Sequence, residues 1–122
     1  MNYFPNSPPK PLNIVIVGAG ATGVELAAEL HHSLAQVQAY ELDNSAIKLA
    51  QITLIESSNR ILSGLPEGVT DSVSKKMQSI GIKVYINTKV IQVQANGLQT
   101  ENSQFIPADL CVWAAGIKAP NF

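Results

Sequence analysis

A chain of 122 residues, 46% of them hydrophobic, is long enough to form one domain with its own buried core. Its formal net charge of −1 and the lack of any basic cluster argue against nucleic acid as a direct partner. No apolar run approaches the roughly twenty residues that span a bilayer, and no signal-peptide pattern opens the chain, so we expect a soluble, cytoplasmic protein.

The first eleven residues differ in composition from the rest. They include four prolines, which block both helix and sheet. We interpret residues 1–11 as a linker or a cut end, and residues 12–122 as one domain. No internal repeat or low-complexity tract interrupts that domain.

The passage from an apolar strand into a helix through three glycines is the most informative segment. The β-branched run of residues 14–17 is typical of a parallel strand covered on both faces. Gly18, Gly20 and Gly23 follow in the spacing GxGxxG. In this spacing the first glycine makes a tight turn, the second lets a pyrophosphate approach the main chain, and the third lets the helix pack closely. We interpret the segment as a dinucleotide-binding turn, with an ordinary glycine-rich turn as the alternative.

A helix is predicted directly after this turn, over residues 21–38. The free N–H groups of Ala21, Thr22 and Gly23 would open the helix and point at the phosphates, with the positive end of the helix dipole behind them. Apolar residues at helical spacing predict a stripe packed on the sheet: Ala27, Leu30, Leu34 and Val37.

An acidic residue is expected at the end of the next strand, where its carboxylate can accept hydrogen bonds from the adenosine ribose. Residues 52–55 form such an apolar strand, and Glu56 follows it. Residues 36–51 form an insertion that lengthens the usual spacing, and Asp43 or Asn44 could cap a short helix within it. The alternative for Glu56 is a solvated carboxylate at a strand end.

Glu56 also predicts the choice of nucleotide. Two unit charges about 4 Å apart repel by about 4 kcal/mol at an effective dielectric constant near 20. A 2′-phosphate beside Glu56 would meet this repulsion, and Arg60 is the nearest following cation in the sequence. We therefore expect NADH to be preferred over NADPH.

Another helix and a third strand are predicted after Gly64 and Pro66 break the chain. The helix covers residues 69–80, Gly81 closes it in a left-handed cap, and residues 83–87 form the strand. The inward positions predicted for this helix are Val69, Val73, Met77 and Ile80.

The pattern changes after residue 88. The pair Asn96-Gly97 is a strong hairpin signal and predicts a β-meander within residues 88–106. Residues 109–116 then form a buried strand, and its placement beside the first strand would bring Gly116 next to Gly18. The elements together predict the α/β class: a Rossmann-like, three-layer domain with a parallel central sheet and a small antiparallel β-meander.

The reactive side chains outside the turn have ordinary explanations. Cys111 is the single cysteine and lies in an apolar run, so we expect core packing and no redox pair. His31 and His32 lie late on the first predicted helix without partners at ligand spacing. No metal site is expected.

Four short segments together resemble the pyridine-nucleotide domain of type II NADH dehydrogenases. They are IVGAGATGVELAAELH at residues 16–31, LIE at 54–56 with RIL at 60–62, and VWAAGIKAP at 112–120. Enzymes of that family are single-subunit NADH:quinone oxidoreductases that carry FAD. Only one glycine fingerprint is present in this chain, so the resemblance implies an excised NADH-binding domain that is inactive alone and contains no catalytic residue.

The resemblance also implies roles for individual residues. Gly18, Gly20 and Gly23 match the NADH pyrophosphate turn, and Glu56 matches the ribose ligand. Glu25 matches an acidic residue oriented toward the nicotinamide, although a carboxylate in the first turns of a helix needs no function. Gly116 matches a glycine that flanks the same cleft.

The partners implied are NADH for this domain, with the FAD domain and quinone in the full-length protein. Membrane contact is expected only through segments missing here, with the full-length protein peripheral on the cytoplasmic face of the inner membrane. Homodimer formation stays open. Two alternatives remain: the NAD(P)H domain of a ferredoxin- or disulfide-reductase flavoprotein, and a non-catalytic NAD(H)-sensing module.

Overall fold

The computed structural model describes residues 12–40 and 50–115. Three predictions lie outside the described residues: the N-terminal linker, the short helix capped by Asp43 or Asn44, and the position of Gly116. Within the described residues, strands and helices alternate in the first half of the chain and strands alone follow in the second half.

Four parallel strands form the central sheet. In the order of the chain they are β1 (Asn13–Val17), β2 (Gln51–Ile55), β3 (Lys83–Tyr85) and β7 (Leu110–Trp113). Their order across the sheet is β3-β2-β1-β7. The last four residues of both β1 and β2 are buried. For β1 this confirms the prediction of a strand covered on both faces. The last strand, β7, pairs with β1, which confirms the predicted placement of the last strand beside the first.

Different layers cover the two faces of this sheet. The helices are α1 (Ala21–Tyr40) and α2 (Glu67–Ser79). The second sheet is antiparallel, in the order β4-β5-β6, with β4 (Val90–Gln94), β5 (Gly97–Thr100) and β6 (Phe105–Pro107).

Alternate residues of β1 face two separate cores. Ile16 packs with Ala27 of α1 and Met77 of α2 on the helical side of the sheet. Val15 points to the opposite side and packs with Leu98 of β5. Because successive side chains of a strand point to opposite faces, one apolar strand supports both cores. The helices, the central sheet and the meander are therefore three layers, and the predicted fold class is confirmed.

Two residues predicted to point inward from the helices are exposed. Val37 of α1 is 38% exposed and Val69 of α2 is 47% exposed. The second helix begins at Glu67, and Thr70 is buried where Val69 was expected. The Thr70 hydroxyl donates a hydrogen bond to the Glu67 carbonyl oxygen at 2.9 Å, so its burial leaves no unsatisfied donor. The first helix reaches Tyr40, and so the start of the predicted insertion is helical.

The prediction of a buried last strand is wrong, because β7 is an edge strand of the described sheet. Leu110 is 51% exposed and Trp113 is 49% exposed. Cys111 packs against the core beneath the meander, but it is half-buried, and this partial burial raises the pKa of its thiol. The third strand also ends two residues early, at Tyr85, and Asn87 adopts a left-handed backbone conformation with φ of 51°.

Candidate functional site

A cleft of about 500 Å³ lies at the carboxyl ends of the parallel strands. This volume is within the range of small-molecule sites, and this edge of an open α/β sheet is where such folds bind ligands. The wall comes from the glycine turn, the start of α1, the end of β2, the segment before β4 and the residues after β7. The lining residues are Val17, Gly18, Gly20, Ala21, Thr22, Gly23, Ile55, Glu56, Ser57, Thr88, Lys89, Val90, Ala114 and Ala115.

The glycine turn is held between two strands. Gly18 has φ of 108°, a conformation that side chains disfavour, and its N–H donates to the Ile55 carbonyl oxygen at 2.7 Å. A Cβ on Gly18 would lie 2.5 Å from the Ala115 nitrogen. The N–H groups of Ala114 and Ala115 both donate to the Val17 carbonyl oxygen at 2.8 Å. The first glycine therefore makes the tight turn and also lets the residues that follow β7 pass close to its backbone.

The other two glycines face different surroundings. A Cβ on Gly23 would lie 1.7 Å from the Gly18 carbonyl oxygen, so only glycine lets α1 pack on the turn. Gly20 is exposed, and a Cβ there would meet nothing within 4 Å. The turn is therefore closed on its inner side and open at Gly20, where the first residues of α1, Ala21 and Thr22, are also exposed.

Glu56 lies directly beside this turn, although 37 residues separate it from Ala19. Its Oε1 accepts a hydrogen bond from the Ala19 N–H at 2.8 Å. Its Oε2 accepts hydrogen bonds from the Ser58 N–H and hydroxyl, both at 2.9 Å. Burial raises the pKa of Glu56, but the hydrogen bonds from Ser58, Ala19 and Ser57 outweigh it and lower the pKa below its ordinary 4.5. The carboxylate is therefore ionised at neutral pH.

The hydrogen bonds of Glu56 leave room for another donor. A carboxylate has about four acceptor positions. Among the described residues, the Ala19 N–H is the backbone donor at Oε1, and Glu56 lines the open cleft. A hydroxyl in the cleft can therefore bind this carboxylate without displacing the Ala19 N–H.

Most of the predicted site residues share this one cleft. The three glycines, Ala21, Thr22 and Glu56 all line it. Glu25 does not: it is exposed on α1 and lines a separate shallow depression with Thr22, Glu29 and other residues of the helix. Gly116 lies outside the described residues, while Ala115 before it lines the cleft.

The segment between β3 and β4 also lines the cleft, which the sequence pattern did not predict. Thr88 is buried and Lys89 is exposed, and both line the cleft. The Thr88 N–H donates to the Glu56 carbonyl oxygen at 3.0 Å, which fixes the segment beside the acidic residue. Since β3 is parallel to β2, the residues that follow β3 must lie at the same edge of the sheet as Glu56. This rule could have identified Thr88 and Lys89 from the sequence.

Arg60 does not face the cleft, although it is the nearest following cation in the sequence. Its Nη1 donates to the Leu65 carbonyl oxygen at 2.7 Å and to the Thr70 hydroxyl at 3.2 Å. Its Nη2 donates to the Ser63 carbonyl oxygen at 2.9 Å. Lys89 is therefore the cation that lines the cleft among the described residues.

Residues 12–40 and 50–115 contain neither a cluster of metal-ligating side chains nor a membrane-spanning helix. In this part of the chain, no three His, Cys, Asp or Glu side chains lie close enough together to hold a metal ion. Neither described helix combines the length and the apolar character that a bilayer crossing needs.

Comparison with known proteins identifies the family of this chain. The sequence model of the family described as "Pyridine nucleotide-disulphide oxidoreductase" matches residues 3–121. The chain belongs to this family. This family match and the relatives described next confirm the resemblance to type II NADH dehydrogenases that the sequence motifs indicated.

Quinone oxidoreductases are among its curated relatives. A type II NADH:quinone oxidoreductase of Haemophilus influenzae is 42% identical over 111 residues, which cover 88% of this chain and 24% of that protein. An external alternative NAD(P)H-ubiquinone oxidoreductase of Arabidopsis thaliana mitochondria is 33% identical over 110 residues, which cover 87% of this chain and 19% of that protein. The chain therefore spans a quarter or less of the length of these relatives.

Solved structures share its fold. NDH2 from Plasmodium falciparum, in complex with NADH, aligns with a TM-score of 0.77 at 26% identity, over 86% of this chain and 22% of that one. A ferredoxin reductase from Rhodopseudomonas palustris aligns with a TM-score of 0.70 at 18% identity, over 86% of this chain and 24% of that one. The second likeness concerns the fold alone.

Proposed function

We propose that this chain is the NADH-binding domain of a flavin-dependent NADH:quinone oxidoreductase. The observation that carries the proposal is the position of Glu56 beside the glycine turn. A diphosphate at the open side of Gly20 meets the exposed N-terminus of α1. A ribose bound to the same nucleotide is then within reach of the remaining acceptor position of Glu56.

The direction of the bound nucleotide follows from the two ends of the cleft. With the adenosine at the β2 end, beside Glu56, the nicotinamide half extends across the turn toward Ala114 and Ala115. The small side chains of these residues leave space for a ring. Gly116, which follows them, is proposed to continue this wall. We keep Glu25 as a proposed orienting residue for the nicotinamide carboxamide, acting from the exposed side of α1.

The chemistry of the complete protein is part of the proposal. FAD, bound by a domain outside this chain, would accept the hydride of NADH and pass two electrons to a quinone. This chain contributes binding and orientation, and no acid, base or nucleophile of its own. The full-length protein is proposed to bind the membrane peripherally through other segments.

The proposal is tested by titrating the 122-residue chain with NADH and with NADPH, following nucleotide fluorescence. We expect saturable NADH binding with a 1:1 stoichiometry, weaker NADPH binding and no NADH oxidation by soluble quinones. A folded sample that binds neither nucleotide would overturn the proposed function, and one that binds both equally well would overturn the proposed role of Glu56. Quinone reduction without an added flavoprotein would overturn the division of labour between domains.

A further inference from the structure

Both hydrogen-bonding groups of Ala19 are held by the segment that follows β2. Ala19 lies between the first two glycines of the turn and is completely buried. Its N–H donates to Glu56 Oε1 at 2.8 Å, and its carbonyl oxygen accepts the Leu62 N–H at 2.8 Å. The position of the turn is therefore fixed from residues 56–62, which are distant in the sequence.

The residues that carry Leu62 have no helix or strand to hold them. Leu62 itself adopts a left-handed conformation with φ of 49°, which a leucine side chain disfavours. The Leu65 N–H closes a turn onto the Leu62 carbonyl oxygen at 2.9 Å. Something outside this turn must keep it in place, because a strained residue persists only when its surroundings determine its conformation.

Arg60 supplies that support. Its guanidinium donates to the carbonyl oxygens of Ser63 and Leu65, which both belong to the turn, and to the buried hydroxyl of Thr70 in the first turn of α2. A planar guanidinium with several donors in fixed directions suits this arrangement, whereas a lysine ammonium would match it poorly. Arg60 is not among the residues that line the cleft.

We propose that Arg60 is a positioning residue for the diphosphate-binding turn. It holds residues 61–65 in the shape that presents the Leu62 N–H to Ala19. The Ala19 peptide in turn keeps Gly20 open to the cleft. The inference rests on the proposed binding of NADH, and it assigns to Arg60 an effect on the affinity for phosphates that it does not touch.

A purely structural role for Arg60 would have a different signature. It would lower the stability of the fold and leave the affinity of the folded molecules for every ligand unchanged. ADP and adenosine separate the two roles, because they share a base and a ribose and differ in the diphosphate. The amide hydrogen exchange of Leu62 reports directly on its bond to Ala19.

The experiment compares Arg60→Met, Arg60→Lys and, as a matched loss of charge, Lys75→Met on the exposed face of α2. Dissociation constants for NADH, ADP and adenosine are measured by titration of folded protein, and Leu62 exchange by NMR. For Arg60→Met we expect the constants for NADH and ADP to rise about tenfold, with adenosine changed less than about twofold and Leu62 exchange faster. Lys75→Met should change none of these.

Arg60→Lys keeps the charge and is the gentler change, so it decides the question if Arg60→Met does not fold. We expect it to weaken ADP binding about threefold, because the planar donors are lost. Wild-type ADP affinity in both Arg60 variants, or equal losses for ADP and adenosine, would overturn the inference. If the unmodified chain bound no NADH, the proposed function would fail instead, and the two failures are therefore distinct.

Discussion

The two ends of the cleft are built differently. At the β2 end, Glu56 accepts hydrogen bonds through both carboxylate oxygens, and its backbone is bonded to Tyr85 and Thr88 at 2.8 and 3.0 Å. At the β7 end, Ala114 and Ala115 have small side chains, and their N–H groups both donate to the carbonyl oxygen of Val17, the last residue of β1. The β2 end therefore provides charge and hydrogen-bond chemistry, while the β7 end provides space. Discrimination between NADH and NADPH should therefore depend on the β2 end.

Substitution of two glycines should have the largest effects and should separate folding from binding. We expect Gly23→Ala to lower the free energy of unfolding by about 3 kcal/mol, because its Cβ would meet the Gly18 carbonyl oxygen. Gly20→Ala should change stability by less than about 0.5 kcal/mol and raise the dissociation constant of NADH about tenfold, since a methyl group would stand where the diphosphate approaches. Urea unfolding and NADH titration measure both quantities. Equal losses of stability in Gly23→Ala and Gly20→Ala would contradict the assignment of Gly23 to folding and Gly20 to binding.

Glu56→Gln should show whether the β2 end selects the nucleotide. An amide of similar shape has no charge to repel a 2′-phosphate, so we expect the ratio of NADH to NADPH affinity to fall on the order of 100-fold. Competition titrations with both nucleotides give this ratio. Ser58→Ala serves as the control, because it removes the hydroxyl that lies within hydrogen-bond distance of Glu56 Oε2 and of the Arg60 carbonyl oxygen, and it keeps the charge of Glu56. An unchanged ratio in Glu56→Gln would exclude charge as the cause of selectivity.

The lowered pKa of Glu56 predicts a pH dependence of stability. A carboxyl group with a folded pKa below its ordinary 4.5 contributes stability above that pH and loses it as the pH falls through the folded value. We expect wild-type protein to lose more stability than Glu56→Gln between pH 6 and about pH 3. Urea unfolding of both proteins across this interval measures the difference. Parallel curves would show that the hydrogen bonds of Glu56 do not stabilise its charged form.

Lys89 should have the smallest effect, because it is exposed and screened by solvent. We expect Lys89→Met to weaken NADPH binding about threefold and NADH binding less than about twofold, since a 2′-phosphate carries the additional charge. Lys83→Met, at the start of β3 and away from the cleft, is the matched control. A loss that is equal for both nucleotides would mean that Lys89 lies near the shared diphosphate.

The sequence predicted the features that depend on a local residue pattern. It did not predict the features that depend on contacts between residues distant in the sequence. The β-branched run before Gly18 predicted a doubly covered strand, and the GxGxxG spacing predicted the steric task of Gly23. In contrast, Thr70 is buried where Val69 was expected. The Thr70 hydroxyl donates to the Glu67 carbonyl oxygen and accepts a hydrogen bond from Arg60, and the spacing of apolar residues does not predict such bonds. Likewise, Lys89 reaches the cleft only because β3 lies beside β2.

Trp113 gives the chain an intrinsic optical reporter. It is the single tryptophan, it is paired across the sheet with Val17, and the two residues after it line the cleft. Reduced nicotinamide absorbs where indole emits, and oxidised nicotinamide does not. Excitation of this one side chain would therefore distinguish the two redox forms of a bound nucleotide by energy transfer, without a label.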